Sequence, residues 1–349
     1  MPLRLTAIER LIFLDSNLGP GPIVDLYGPF AAKSILVALR LGLFEALAPR
    51  PLRPEELARR LGVDERGVRL LLELLEALGY VGARGGSFRN TAATTKWMLA
   101  ESSAGVADLF EFFEDMQQRW DVLEEALREG KPIRRSAEWF DSHPGSWDRY
   151  HAGLRAVASL SAPEIVGRVR IPAGARRLLD LGGSHGCYST AFCQRHPGLS
   201  AVVLDWAQAR DVAEKTIAAA GMRGRVSFLA GDLWKDEYPG DCDVVLLFNL
   251  VRVFPAERSE ALVRRAVAAL RPGGLAVVVD HHLRPRSSRF QRAIAAVIAL
   301  ELFNATPGRL HHPSEVARWL VAAGCSRPET RFLRRSPGSY LLTARKNSA

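Results

Sequence analysis

The chain is short of the residues that build disulfide frameworks and metal clusters. It has only four cysteines in 349 residues, and their positions show no metal-ligand spacing. We therefore expect no bound metal, and reduced thiols of the kind found in the cytoplasm. The sequence also lacks low-complexity tracts, a signal-peptide pattern and an apolar run as long as a transmembrane helix requires. These absences predict a cytoplasmic protein without a membrane partner.

Basic residues exceed acidic ones, with 47 Lys and Arg against 38 Asp and Glu and a formal net charge of +9. Such a surplus is a reason to consider nucleic acid as a partner. Much of it, however, is arginine placed along helices next to glutamate, which is the pattern of a solvated face. With 48% hydrophobic residues, the chain is long enough to form two domains that each have a core.

Residues 1–100 predict a small, mainly helical domain. A long helix is expected over Val24–Leu47, and its apolar stripe is wider than one core needs, which indicates a partner helix. A second helix starts at Pro54, and Asp64 caps a third over Glu65–Leu78. A small hairpin follows at residues 80–88. Helices and a hairpin in this order form a winged helix.

Winged helices bind DNA in many proteins, so the composition of the third helix decides between two interpretations. A helix that reads a DNA groove needs polar and basic side chains on one face. Glu65–Leu78 is instead dominated by apolar residues, with Glu73 and Glu76 among them. We expect this module to serve structure and dimerisation, and we predict no nucleic-acid partner. A DNA-binding regulator that senses a small molecule is the alternative from another functional class.

Residues 101–165 are expected to form a helical linker rich in aromatic side chains. Two interpretations stay open: core packing between two domains, or the wall of a pocket for a flat, apolar substrate. His151 belongs to this stretch and is a candidate base. The aromatic residues are Phe110, Phe112, Phe113, Trp120, Trp139, Phe140, Trp147 and Tyr150.

From residue 166 to residue 349, short apolar strands alternate with helices. This alternation predicts a parallel, doubly wound α/β sheet, to which a final hairpin near Arg331–Leu333 and Tyr340–Thr343 adds antiparallel strands at one edge. The predicted parallel strands are Arg177–Asp180, Ala201–Asp205, Val226–Ala230, Val244–Phe248 and Leu275–Asp280.

The stretch Leu178-Leu-Asp-Leu-Gly-Gly-Ser-His-Gly186 has the features of a nucleotide-binding turn. Gly182, Gly183 and Gly186 permit positive φ and the close approach of a ligand, and open α/β sheets bind ligands at this edge. Dehydrogenases also carry a glycine-rich turn, so the discriminating residue is Asp180, placed before the first glycine. A carboxylate there can accept hydrogen bonds from an ammonium group. S-adenosylmethionine (SAM) has such a group and a dinucleotide does not.

Two more acids follow the next two strands at the same predicted edge. Asp205 ends the second strand, where a carboxylate suits the two hydroxyls of a ribose. Asp232 follows the third strand, where it can accept from an adenine amino group, while Leu233 or Trp234 covers the ring face. Three acids in this order after three successive strands indicate one nucleoside site.

These motifs resemble the plant-type and acetylserotonin-like SAM-dependent O-methyltransferases over residues 27–346. The shared patterns are the leucine-rich winged helix, Leu-Asp-Leu-Gly-Gly-x-x-Gly, Gly-Asp-Leu at 231–233 and Leu-Arg-Pro-Gly-Gly at 270–274. The resemblance implies a Rossmann-like domain, a homodimer joined through residues 1–100, SAM as cofactor and S-adenosylhomocysteine as product. The expected cofactor-binding residues are Asp180, Gly182, Gly183, Gly186, Asp205, Trp206, Asp232, Leu233, Trp234 and Asn249.

The chain departs from the family pattern where relatives carry a histidine base after the fourth strand. Arg252 stands at that position, and Leu310 stands where plant members have an acid. A guanidinium stays protonated and cannot deprotonate a hydroxyl, but it can hold an anionic or carbonyl oxygen or stabilise developing negative charge. The opposing interpretation is that Arg252 turns outward and pairs with a residue such as Glu257. The candidate catalytic residues are Arg252, His151, His281 and Asp280.

The resemblance implies methyl transfer to an oxygen of a small aromatic or polyketide-like secondary metabolite. The arginine at position 252 keeps two alternatives open. The acceptor atom is then carbon or nitrogen, or the bound SAM supports a hydroxylation or cyclisation without giving up its methyl group.

Overall fold

The computed structural model describes residues 5–16, 18–102, 105–284 and 287–348. The chain divides into two compact units, Met1–Glu114 and Asp115–Ala349. The helices in chain order are α1 (Ala7–Arg10), α2 (Pro22–Arg40), α3 (Leu43–Leu47), α4 (Pro54–Leu61), α5 (Glu65–Ala77), α6 (Ala92–Trp97), α7 (Asp108–Arg119), α8 (Leu123–Glu129), α9 (Ser136–Ser142), α10 (Ser146–Arg168), α11 (Cys187–Arg195), α12 (Arg210–Ala219), α13 (Ala256–Ala268), α14 (Arg289–Ala305) and α15 (Pro313–Ala322).

The first unit packs its helices around an apolar core beside a two-stranded antiparallel sheet, β1 (Val81–Arg84) and β2 (Ser87–Asn90). The helix α5 begins where the sequence predicts, because the side chain of Asp64 accepts a hydrogen bond of 2.7 Å from the Gly67 amide. The same helix buries Val68, Leu72 and Leu75. Its apolar residues therefore serve packing.

The single long helix expected over Val24–Leu47 is wrong. The helix α2 ends at Arg40, and α3 is a separate helix that starts at Leu43. Between them Gly42 has φ of +67°, a left-handed conformation that interrupts a helix and that glycine adopts at little cost. The break turns Leu43 and Phe44 fully into the core.

The helix α2 also corrects the expectation about long apolar runs. By length and composition alone, its 19 residues could cross a membrane. Only 22% of its most apolar stretch is buried in this chain. Leu26, Tyr27 and Phe30 are among the apolar side chains that α2 exposes. One helix of this kind is weak evidence for a membrane span, and an unburied apolar face also suits a protein partner.

The second unit is built on a seven-stranded sheet with the order β5-β4-β3-β6-β7-β9-β8. The strands β3 to β7 pair in parallel, and β9 and β8 extend the β7 edge as an antiparallel pair. The predicted doubly wound sheet with its final hairpin is confirmed, although β7 begins at Leu270 rather than Leu275. The bounds are β3 (Arg177–Leu181), β4 (Ser200–Asp205), β5 (Val226–Ala230), β6 (Cys242–Phe248), β7 (Leu270–His281), β8 (Glu329–Phe332) and β9 (Ser339–Arg345).

The direction of strand addition reverses at the centre of this sheet. From β3 the chain adds β4 and β5 on one side, and then crosses to add β6 and β7 on the other. The carboxyl ends of β3 and β6 therefore flank a switch point, which is where open α/β sheets bind ligands. Asp180 and Asp205 lie at the ends of β3 and β4, and Asn249 and Asp280 lie at the ends of β6 and β7.

Candidate active site

Asp180 is a fully buried carboxylate with one unused oxygen. From the first turn of α11, Ser189 Oγ donates a hydrogen bond of 2.7 Å to Oδ2, while Oδ1 is buried and has no partner among the described residues. Burial raises the pKa of Asp180 to about 7; the Ser189 hydrogen bond opposes this, and the charge of Asp205 adds to it. An orphaned carboxylate oxygen is costly unless a ligand satisfies it. Its chemistry fits a bound ammonium group.

The glycines after Asp180 allow a turn that other residues would obstruct. Gly182 has φ of +64°, and a Cβ on it would lie 2.8 Å from the Leu250 side chain. A Cβ on Gly183 would lie 2.5 Å from Cγ of Asp180. Gly186, with φ of +66°, caps the start of α11. The backbone can therefore close over the carboxylate only because these side chains are absent.

Asp205 is held in place by the same turn. The amide of Ser184 donates to Oδ2 and the amide of Trp206 donates to Oδ1, each at 2.7 Å. Burial raises the pKa of Asp205 to about 6 in spite of these two bonds. Each carboxylate oxygen keeps a second lone pair. Asp205 is thus fixed in orientation and still able to accept from ligand hydroxyls.

The third predicted acid has a local partner, and the aromatic residue beside it has another. Asp232 Oδ1 accepts a hydrogen bond of 2.8 Å from the Trp234 amide, and this bond lowers the pKa of the half-buried carboxyl. The Trp234 ring meets Phe254 edge-on at 5.2 Å and lies 4.3 Å from the Arg258 guanidinium. Of the two side chains expected to cover a ligand ring, Trp234 is thus engaged with protein groups and Leu233 is buried.

Arg252 turns inward, into a cluster at the ends of β6 and β7. Its Nη1 donates to Asn249 Oδ1 at 2.7 Å, to Asp280 Oδ1 at 3.1 Å and to His281 Nδ1 at 2.6 Å. The side chain is 14% exposed. No hydrogen bond joins its Nε or Nη2 to any residue that the structure describes, and its carboxylate partner is Asp280, not Glu257. The guanidinium is fixed at one nitrogen.

His281 and Asp280 both direct hydrogen-bond acceptors at Arg252. Because a guanidinium only donates, Nδ1 of His281 must accept, and its proton sits on Nε2, which donates 3.2 Å to Ser339 Oγ. Burial and the charge of Arg252 hold the pKa of His281 well below its usual range. Burial raises the pKa of Asp280, while Arg252 opposes that rise. His281 and Asp280 therefore hold Arg252, and neither has a free basic atom facing a substrate.

His151 belongs to a different group of contacts. Its Nδ1 is 2.7 Å from Ser184 Oγ in the glycine turn, and its Nε2 is buried without a partner among the described residues. Trp147 lies nearly parallel to its ring, with a centroid distance of 5.6 Å. Burial lowers the pKa of His151 to about 4. The four catalytic candidates thus fall into two sets: Arg252 with Asp280 and His281, and His151 beside the turn.

Aromatic side chains of the predicted pocket wall meet the same end of the sheet. Trp147 contacts Tyr150 and Trp206 edge-on, with centroid distances of 6.1 and 6.0 Å. Burial raises the pKa of the Tyr150 phenol, and the nearby charges of Arg119 and Arg252 oppose it. The ring contacts of Tyr150 with Trp147 and His151, beside the glycine turn, favour the pocket-wall interpretation of α10.

Three contributing residues were missed from the sequence. The Ser189 hydroxyl donates to Asp180 and the Ser184 amide donates to Asp205. The only sequence signal of these two serines is their position in or just after the glycine turn. Gly308 has no signal at all. A Cβ on it would lie 2.7 Å from the Val253 carbonyl oxygen and closer still to that of Arg252. The segment carrying Gly308 therefore braces the Arg252 turn.

The comparisons with known proteins agree with this geometry. The family model described as the O-methyltransferase domain matches residues 120–326, and the O-methyltransferase dimerisation domain matches residues 26–100. A 3-hydroxy-5-methyl-1-naphthoate 3-O-methyltransferase from Streptomyces sahachiroi is 30% identical over 339 residues, covering 93% of this chain and 94% of the relative.

Two solved structures share the fold. An O-methyltransferase family protein from Burkholderia thailandensis has a TM-score of 0.78 and 26% identity, with 99% of both chains covered. Human N-acetylserotonin methyltransferase in complex with SAM has a TM-score of 0.82 and 20% identity, with 95% of this chain and 99% of that one covered.

The chain is therefore a class I α/β methyltransferase in its fold. It belongs to the SAM-dependent O-methyltransferase family, with SAM as cofactor, as its motifs predicted.

Proposed function

We propose that this enzyme methylates a hydroxyl of a small aromatic, polyketide-type metabolite and that Arg252 holds an anionic oxygen of that acceptor. The observation that carries the proposal is the guanidinium fixed through Nη1, with Nε and Nη2 left for a ligand. This pair of donors matches a carboxylate or phenolate. The Streptomyces relative supports it, since its named substrate is a hydroxynaphthoate, which has both a hydroxyl and a carboxylate.

The residues at the switch point fit the cofactor. The orphaned Oδ1 of Asp180 would accept from the ammonium group, and Asp205 would accept from the ribose hydroxyls. Gly182 and Gly183 would let the backbone approach the ligand. When bound, SAM supplies an electrophilic methyl group. Leu233, Asp232 and Trp206 would complete the nucleoside end, whereas the Trp234 ring and the Asn249 amide oxygen are committed to protein contacts.

Proton removal in this site does not depend on a strong base. The lone pair of His281 is directed at Arg252, Asp280 is paired with Arg252, and His151 has a pKa of about 4. A positive charge beside an acidic hydroxyl lowers its pKa. Arg252 therefore favours the ionised acceptor and orients it, and the proton leaves to water before methyl transfer.

The proposal is tested with the purified chain, methyl-labelled SAM and a set of hydroxylated aromatic acids. We expect label on oxygen, and we expect the free acids to react faster than their methyl esters. Label on carbon or nitrogen, or a converted substrate without label, would assign one of the two alternatives instead.

Variants then test the arginine. Arg252→Ala should lower kcat/KM about a hundredfold, the scale of losing one oxyanion donor, and Arg252→His should not restore it. Arg264→Ala, on the exposed face of α13, is the matched control. If Arg252→Ala methylates the free acid as well as wild type does, Arg252 has no contact with the acceptor.

We propose, further, that the first unit forms a homodimer through the exposed apolar face of α2. The dimerisation-domain match over residues 26–100 supports this, as do the exposed side chains of Leu26, Tyr27 and Phe30. Sedimentation should give twice the chain mass of 38.4 kDa, and Phe30→Glu should shift the protein to monomer. The surface variant Arg89→Glu is the control. A wild-type monomer at micromolar concentration would contradict the proposal. Cytoplasmic location and the absence of nucleic-acid and membrane partners stay predictions.

A further inference from the structure

A second concave site lies at the edge of the sheet, between strand β8 and helix α15. It has a volume of about 580 Å³, within the range of small-molecule sites. One wall is formed by Thr330 and Phe332 of the edge strand with Pro328 just before it, and the facing wall comes from the first turns of α15. None of the candidate cofactor or catalytic residues lines it. The methyl-transfer reaction leaves this groove without a role.

Four of the ten residues that line this groove are basic, and no acid is among the described residues that line it. Arg284, His282 and His312 lie at the Phe332 end, and Arg327 precedes β8 at the other. The acids on the neighbouring elements are paired elsewhere: Glu315 with Arg309 at 2.6 Å, and Glu329 with Arg331 at 2.6 Å. Among the residues that the structure describes around the groove, no acid is therefore placed to neutralise its two arginines.

The basic groups at the Phe332 end are ordered for binding. The Arg284 guanidinium lies 3.7 Å from the centre of the Phe332 ring, which fixes its plane and leaves its N–H groups at the edges. Nδ1 of His312 accepts a hydrogen bond of 3.2 Å from the Ser314 amide. The proton of its ring therefore sits on Nε2, which can donate to a ligand. His282 meets His312 edge-on at 4.5 Å. Burial, His312 and Arg284 together lower the pKa of His282.

We propose that this groove binds an organic phosphate. The phosphoryl group would lie among Arg284, His282 and His312, and the organic body would lie along the apolar wall towards Arg327. Two features favour this ligand over a single carboxylate or free phosphate. Clustered donors match a group with three acceptor oxygens and up to two charges. The groove volume also exceeds what inorganic phosphate alone would fill.

The test is calorimetry on the full-length protein saturated with S-adenosylhomocysteine, so that the methyl-transfer site is occupied. The probes are monobutyl phosphate, inorganic phosphate and 1-butanol. We expect one site per chain for monobutyl phosphate, with affinity about tenfold above inorganic phosphate because its alkyl chain buries apolar surface, and no binding of butanol. Arg284→Gln should weaken binding of monobutyl phosphate about tenfold, because Arg284 lies where the phosphoryl group binds.

Arg331→Gln is the matched control, because Arg331 lies on the same strand with its side chain paired to Glu329. It should bind like wild type. Equal affinity in wild type and Arg284→Gln, an equal loss in Arg331→Gln, or no binding of either phosphate would overturn the proposal. A second readout does not depend on variants: monobutyl phosphate should shift the NMR resonance of the His282 ring, and an unshifted resonance at saturation would also overturn it.

Discussion

Asp180 is predicted to lower the stability of the ligand-free enzyme at neutral pH, and Asp180→Asn should remove that cost. The pKa of this carboxyl is raised from an ordinary 3.8 to about 7 because it is buried. A carboxyl with a raised pKa stabilises the fold when it is neutral. Its contribution is complete below about pH 3.8 and is lost as the pH rises through about 7.

The size of this effect follows from the two pKa values. Their difference, at about 1.4 kcal/mol for each pH unit, corresponds to about 4 kcal/mol at most. About 2 to 3 kcal/mol of that falls between pH 5 and pH 8. The asparagine variant does not ionise and still offers an oxygen to Ser189. Its stability relative to wild type should therefore rise by this amount between those two pH values.

Urea unfolding of the ligand-free wild type and Asp180→Asn at pH 5 and pH 8 measures the difference. Asp232→Asn is the control, because the pKa of Asp232 is lowered and not raised, so the stability of that variant should gain nothing on wild type between pH 5 and pH 8. SAM affinity should fall in Asp180→Asn, because the amide carries no charge for an ammonium. A variant no more stable at pH 8 than at pH 5, relative to wild type, would refute the reasoning about Asp180.

Two further predictions follow from the site. The affinity of wild type for SAM should fall about fivefold between pH 7 and pH 6, because protonation of Asp180 removes the ionised acceptor. Calorimetry should give a shallower profile for Asp180→Asn, in which Asp205, with a pKa of about 6, still titrates. A wild-type profile no steeper than that of Asp180→Asn would contradict the role of Asp180. Gly308→Ala should lower kcat more than it changes SAM affinity, because its methyl group would displace the Arg252 carbonyl. The control is Gly198→Ala, which has no atom within 4 Å of the new Cβ. Equal kcat in both variants would refute the bracing role of Gly308.

The sequence was sufficient for the sheet and for the family because both depend on local patterns. The strand β6 is buried along its whole length, so the apolar run Val244–Phe248 within it identifies it from the sequence. Asp180 and Asp205 are marked by the ends of such runs. Gly42 was harder to interpret. A single glycine inside an apolar helical pattern is often tolerated, and only its left-handed φ reveals the break.

The environment of Arg252 could not be predicted because it depends on residues far along the chain. Its partner Asp280 lies 28 residues away, on a different strand, and Gly308 lies farther still. From the sequence alone, an arginine at position 252 can form an outward ion pair with Glu257 or an inward one with Asp280. Only the order of the strands in the sheet shows that Asp280 lies beside it. The same holds for Trp234, whose partner Phe254 comes from beyond the next strand.

The three acceptors on Nη1 of Arg252 make this position epistatic. A histidine substituted there alone would leave Asn249 Oδ1, Asp280 Oδ1 and His281 Nδ1 without the guanidinium that now donates to all three. Substitutions in one hydrogen-bonded network are not additive, so we expect the cost of a change at 252 to depend on the residues at 249, 280 and 281. An exchange of this arginine for a histidine at low cost therefore requires accompanying changes at those positions.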